Sequence, residues 1–424
     1  MKTKFLLPAK VRRFFKTLGP GLITGAGDDD PSGIATYSQA GTAFGFATLW
    51  TALITFPLMA AIQGMCARIG LVTSQGLTRT LKSHYPKYIL YLMLVFSVPA
   101  TILNIGSDIA GMGAVSSLLL PAVPPYVFSI LFTVILIVTI IRFDYQKIAG
   151  ILKWLCLCML LYIVVPFLLT PDWGKVLKAT FVPTIQFNKE FIETLVAILG
   201  TTISPYLFFW QATMEAEDQK HKGGVVIVNK RVLKEMTDDV NTGMFASNLV
   251  MFFIILTSGM VLHGHLKQID TVEQAAKALE PLAGKASYAC FAIGVIGTGF
   301  LAIPILAGSL SYIVAETFGW KQGLDKKFHQ ARGFYIVILA ALVIGLVINF
   351  TGLSPMQALI YTAILYGVTA PVMIAVVMHV CNNKKIMQEH TNGKISNILG
   401  GLTFLLMTAG AVALIYFQFF TGSK

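Results

Sequence analysis

The sequence predicts an all-α integral membrane protein of eleven transmembrane helices, the first ten arranged as two five-helix halves of opposite orientation. Three observations predict it. The 424 residues are 55% hydrophobic and only 12% charged, with a mean hydropathy of +0.73, whereas globular domains carry about 25% charged residues. The charges sit in short intervals between apolar runs that approach or exceed the roughly 20 residues needed to cross the hydrocarbon. Two of those runs are broken mid-span, 174 residues apart, by Pro31 and Pro205, each among small polar residues.

The runs fall at roughly 19–42, 46–70, 88–119, 124–141, 150–170, 192–216, 242–264, 286–314, 333–350, 356–379 and 398–421. Five spans are an odd number, so a second half (192–379) must lie upside down relative to the first (19–170). Span 11 (398–421), with Gly400, Gly401 and Gly410, stands outside the repeat. With the N-terminus inside, 25 of the 32 Lys and Arg are cytoplasmic and 7 are outside. That bias sets an internal N-terminus and, for eleven spans, an external C-terminus. The net charge of +12 is therefore read as membrane orientation, and nucleic acid is not an expected partner. Residues 1–18, with six Lys and Arg, read as a retained cytoplasmic tail, since no cleavage site follows. The segment 217–241 reads as the longest cytoplasmic loop, and 271–280 as a short helix along the outer surface. Cys156 and Cys158, spaced i,i+2, would point to different faces of a helix; with the other three cysteines they read as packing rather than as disulfides or a metal site.

The breaks carry the chemistry. Non-helical backbone survives at membrane depth only where it is buried in protein or lines a polar cavity, and paired breaks in two halves mark a transporter's midplane site. The first break reads Gly25-Ala26-Gly27-Asp28-Asp29-Asp30-Pro31-Ser32-Gly33. A carboxylate at that depth costs about 2.5–3.5 kcal/mol on insertion scales. Asp30 is the expected ligand, with the Ser32 hydroxyl and the freed carbonyls beside it; Asp28 and Asp29 are expected to be vestibule charges, or to stand behind the ligands as a proton or ion relay. A structural reading competes with this one, because Asp before Pro is also a favoured helix cap. The second break supplies Thr201, Thr202, Ser204 and Tyr206 around Pro205, with no His, Cys or Met. Oxygen-only donors suit Mg²⁺, Ca²⁺ and Mn²⁺. Asp108, a further intramembrane carboxylate, is expected to relay protons or ions or to pair with a neighbouring span. No nucleophile–base pair, phosphate loop or zinc spacing is present, so an enzyme is not expected, nor a resident cofactor.

The run Gly19-Pro20-Gly21…Asp30-Pro31-Ser32-Gly33-Ile34-Ala35-Thr36 resembles the first-helix signature of the Nramp divalent-metal transporters, a G-P-G-like opening followed by D-P-G-N, an aromatic or apolar residue, and A-T. Ile203-Ser204-Pro205-Tyr206 is similar to that family's M-P-H break, and Asp108-Ile109-Ala110-Gly111 to its D-L-A-E. The resemblance covers nearly the whole chain. It implies a LeuT-type fold with helices 1 and 6 unwound, Asp30 as the metal-binding aspartate, and the carbonyls of Gly27 and Thr201 completing the site. The family's asparagine, methionine, histidine and glutamate are replaced by Gly33, Ser204, Tyr206 and Gly111, and its span-10 glutamine aligns with Ala363. Loss of the soft sulfur and of bulk suits an ion that keeps its waters, as Mg²⁺ does, and the chain is similar to a magnesium-transporting branch of the family. Loss of the histidine and glutamate weighs against proton coupling.

The expected function is therefore secondary transport of a divalent cation by alternating access, Mg²⁺ first and Mn²⁺ next, by a monomer in a bacterial inner membrane. The alternatives are a proton-coupled Mn²⁺/Fe²⁺ importer and a cation-coupled carrier of an organic solute such as an amino acid. Three adjacent aspartates would repel the carboxylate of such a solute. A metal sensor, the remaining alternative, would be expected to carry a soluble output domain.

Overall fold

The computed structural model describes residues 19–142, 161–221 and 228–420. The basic tail 1–18, residues 150–160 of span 5 with Cys156 and Cys158, and residues 421–424 lie outside them. Among the described residues the ordered elements are helices, joined by turns and one isolated bridge.

The first apolar run forms two half-helices, α1 (Pro20–Asp28) and α2 (Pro31–Phe44). Next come α3 (Trp50–Thr73), an amphipathic connector α4 (Leu77–His84), α5 (Lys87–Leu119), α6 (Pro125–Arg142), α7 (Leu161–Leu169) and the peripheral α8 (Trp173–Phe181). The sixth run is again halved, into α9 (Lys189–Thr202) and α10 (Pro205–His221). Long helices complete the bundle: α11 (Lys230–Val261), α12 (Ser287–Phe318), α13 (Arg332–Ile348), α14 (Pro355–Asn382) and α15 (Lys394–Phe420). By length and composition, eight described helices, counting α9–α10 as one, can cross a membrane, and α13 is a shorter apolar helix. The halves α1 and α2 are 9 and 14 residues long, each short of a span.

Proline alone does not explain the two breaks, since Pro57, Pro99, Pro166, Pro304 and Pro371 all lie inside continuous helices. Those five follow Phe56, Val98, Val165, Ile303 and Ala370, none of which can cap a helix. Pro31 and Pro205 follow Asp30 and Ser204. Asp30 takes an extended conformation (φ −75°, ψ 170°) and its side chain accepts from the Gly33 N–H, so a new helix starts with Pro31 at its first position. On the other side of its break, the Ser204 hydroxyl donates to the carbonyls of Thr201 and Gly200 (2.6 and 3.1 Å), which the end of α9 leaves free.

Small residues set how closely the broken helices approach their neighbours. A Cβ on Gly25 of α1 would lie 2.3 Å from the Gly243 carbonyl oxygen of α11, and one on Gly200 of α9 would lie 2.0 Å from the Ala363 carbonyl oxygen of α14. The buried Asp239 carboxylate of α11 also accepts from the Gly19 and Gly21 N–H groups at 2.7 Å each, capping α1. Helices α1 and α2 pack on α11, α10 packs on α3, α5 packs on α12, and α6 and α13 pack on α5 and α12 respectively. The α2–α11 and α10–α3 pairings correspond when the two broken helices are swapped, as do α6–α5 and α13–α12, whereas the close α1–α11 packing has no comparable α9–α3 counterpart. Exposed Tyr126, Ile130, Leu131 and Val134 on α6, and Leu402, Leu405 and Val412 on α15, form apolar outer faces suited to lipid.

One expectation about a connection is corrected. Most of 217–241 is helical rather than loop: α10 runs to His221, and α11 starts at Lys230 with its N-cap Asn229 and the Arg231–Glu235 pair at 3.0 Å. Local capping and i,i+4 pairing extend α11 beyond its apolar stretch. The segment 271–280 holds a short helix, Val272–Ala276, with a capping box at Thr271. Its apolar side, with Ala275, Ala276, Ala278 and Leu279, is buried against the bundle.

Candidate functional site

The two breaks meet in the middle of the bundle. Asp30 is 2% exposed and both of its carboxylate oxygens are engaged: Oδ1 accepts from the Gly33 N–H at 2.7 Å and Oδ2 from Asn104 Nδ2 of α5 at 2.9 Å. The structural role weighed for this aspartate is thus real, and it does not preclude ligation, since each carboxylate oxygen keeps a further lone pair. Across the gap, the Tyr206 hydroxyl of α10 donates to the Gly27 carbonyl at 3.1 Å, joining the breaks directly. The Thr201 carbonyl accepts from Ser204, and the Ser32 hydroxyl is turned to the Leu359 carbonyl of α14 at 2.7 Å. Tyr37 of α2 and Thr202 of α9 approach hydroxyl to hydroxyl at 3.3 Å.

Asp28 and Asp29 do not line an open vestibule. Asp28 is fully buried and Asp29 is 8% exposed, and the Ser247 hydroxyl of α11 reaches both, at 2.7 Å to Asp28 Oδ2 and 3.1 Å to Asp29 Oδ1. They lie inside because α1 ends at Asp28 against α11, so the chain turns at these residues within the bundle. Asp108 is also fully buried, and no side chain hydrogen-bonds to its carboxylate, towards which only the backbone N–H of Ser32 is directed; one oxygen each of Asp28 and Asn104 is unpartnered. On α5, Asn104, Asp108 and Gly111 follow at i, i+4 and i+7 and share one face. That face looks onto the start of α2: Asn104 bonds Asp30, and a Cβ on Gly111 would lie 3.7 Å from Pro31 Cβ.

Four carboxylates are therefore buried near one another, and among the described residues no Lys, Arg or His forms an ion pair with any of them. Buried charge is retained only when compensated. Without such compensation a buried carboxyl takes up a proton, so this cluster is suited to hold either protons or a cation. The described residues hold no group of three or more His, Cys, Asp and Glu side chains placed to bind a metal ion on their own. Any ion at the break would be held by Asp30, hydroxyls, carbonyls and its own water. Asn104 and Ser247, the two direct partners of the aspartates, carry no sequence signal beyond being polar in apolar runs.

Two helices broken at prolines, the first capped by Asp30, and meeting beside buried carboxylates define a membrane transporter of the LeuT-like fold. The chain belongs to the Nramp (natural resistance-associated macrophage protein-like) family, matching it over residues 21–417. It is similar to the divalent metal cation transporter MntH of Caldanaerobacter subterraneus subsp. tengcongensis, 25% identical over 414 residues covering 95% of this chain and 94% of that one. It is 24% identical over 430 residues to the protein of the same name from Brucella suis biovar 1, covering 98% and 91%. The crystal structure of a mutant Eremococcus coleocola manganese transporter matches with a TM-score of 0.77 at 16% identity, over 100% of this chain and 92% of that one. At that identity the structural likeness speaks to the fold.

Proposed function

We propose that this Nramp-family protein carries divalent metal cations across the membrane by alternating access, with Mg²⁺ the preferred cargo and Mn²⁺ second. Its curated relatives are divalent metal cation transporters. The observation that carries the reading is that the break residues Asp30, Ser32, Thr201 and Ser204 offer only oxygen donors, gathered around the buried Asp30 carboxylate. At Gly33, where the family signature has asparagine, a Cβ would lie 3.3 Å from Thr201 Oγ1 and 3.5 Å from the Asp28 carbonyl oxygen, so the two breaks close on this position and leave no room for an asparagine side chain without a shift. Mg²⁺ dehydrates reluctantly and is usually bound through one or two carboxylates with several waters retained. The same buried aspartates disfavour an organic substrate that carries a carboxylate.

The test is uptake into proteoliposomes of the purified chain. Mg²⁺ and Mn²⁺ are expected to enter and to compete for one saturable site, while Cd²⁺ is carried poorly. Transport that strongly favours Cd²⁺ over Mg²⁺ would return the protein to a soft-ion selectivity.

The proposed orientation places the N-terminus in the cytoplasm and the C-terminus outside, in a bacterial inner membrane, with the transporter acting as a monomer. Reporters fused after Lys16 and after Lys424 are expected to fall on opposite sides, the first inside. Both termini on one side would contradict the odd span count and the 19–170 and 192–379 repeats.

A further inference from the structure

We infer that a cavity with an acidic rim and largely apolar walls, beyond the C-terminal half of α2, is a second, weaker site that takes up a hydrated divalent cation on its way to Asp30; this rests on the transport reading above. The cavity has a volume of about 460 Å³ and opens between α2, α9, α14 and the segment after α11. In the proposed orientation this is the outer face. Its lining carries three carboxylates, Glu190, Glu193 and Asp270, against one ammonium, Lys267, so the net formal charge matches one divalent ion. Lys189 approaches Glu193 at 3.8 Å, but both side chains are partly exposed, 44% and 33%, and such a pair is screened and weak.

The floor points to a ligand independently of the acidic rim. Thr36 is the deepest lining residue of α2; it is 2% exposed, and its hydroxyl has no hydrogen-bond partner in the protein. A hydroxyl so placed is satisfied by water or by the hydration shell of an ion. Thr36 lies six residues along the helix from Asp30, about 9 Å at 1.5 Å per residue. Six waters occupy roughly 180 Å³ at about 30 Å³ each, so an intact hydration shell fits. The remaining polar lining is amide and hydroxyl, including Gln357 and Thr194, groups that bond to coordinated water rather than strip it. Low-dielectric walls with a net negative charge raise the local cation concentration, which serves an ion that must arrive still hydrated.

Binding and uptake test this separately, with Mn²⁺ alone as a paramagnetic probe for purified full-length protein. In an Asp30→Asn background one weak Mn²⁺ site is expected to remain. Adding Glu190→Gln, Glu193→Gln and Asp270→Asn should weaken it about fivefold or more, and Thr36→Val about twofold. With Asp30 intact, the triple substitution should raise KM for uptake about fivefold at low ionic strength, change kcat far less, and lose its effect in roughly 0.5 M salt, where the screening length falls to a few Å. Absence of residual Mn²⁺ binding in the Asp30→Asn protein, or residual binding indifferent to the triple substitution, would overturn the inference. Failure of the unmodified protein to carry any divalent ion would instead overturn the transport reading, and the binding arm would still decide this site.

Discussion

Asp30→Asn is expected to reduce divalent-cation uptake about 100-fold or more while leaving the protein folded. The factor corresponds to roughly 2.8 kcal/mol at 1.4 kcal/mol per decade, in line with removing one member of a buried, hydrogen-bonded charge pair. Asparagine is the informative choice because Asp30 has two roles. It caps α2 through the Gly33 N–H at 2.7 Å, and alanine would forfeit that cap at a cost of about 1 kcal/mol, confusing loss of ligand with loss of the break. The asparagine carbonyl can keep the cap. Its amide would then face Asn104, whose Oδ1 has no partner and can accept after the Asn104 amide turns over. Uptake of Mg²⁺ and Mn²⁺ by matched amounts of variant and parent, with their thermal unfolding compared, is the measurement. A folded variant with undiminished uptake would move the site away from Asp30, most directly to Asp108, whose buried carboxylate has no side-chain partner.

Ser204→Met is expected to shift the ratio of Cd²⁺ to Mg²⁺ uptake about tenfold or more toward Cd²⁺. The substitution does two things at one place. It adds a thioether, a ligand preferred by softer metals, at the break facing Asp30. It also removes the hydroxyl that donates to the Thr201 carbonyl at 2.6 Å, freeing that oxygen for a metal. Ser204 is 2% exposed, so the added bulk carries a packing cost of about 1–3 kcal/mol and displaces water that Mg²⁺ would keep. Ser204→Leu separates the effects: it supplies the bulk without sulfur and should impair Mg²⁺ uptake without gaining Cd²⁺. Equal behaviour of the two variants would show that the space at this position matters and the sulfur does not.

The class of protein and the location of its site follow from the sequence alone, because both depend on local chemistry. Long apolar runs report membrane crossing. A proline preceded by Asp30 or Ser204 reports a helix that stops and restarts, whereas Pro57, Pro99 and Pro304 follow apolar residues and leave their helices intact. Tertiary structure alone decided which groups reach the break. Asn104 meets Asp30 across 74 residues of chain, and Ser247 reaches Asp28 and Asp29 across 219 and 218. No periodicity encodes such pairings, which exist only because α5 and α11 pack against the broken helix. The same packing withdrew Asp28 and Asp29 from the solvent that their run of charges suggested. It also left Asp108 without a side-chain partner. Residue type is local and so could be read from the chain; burial and partnership are properties of the assembled bundle.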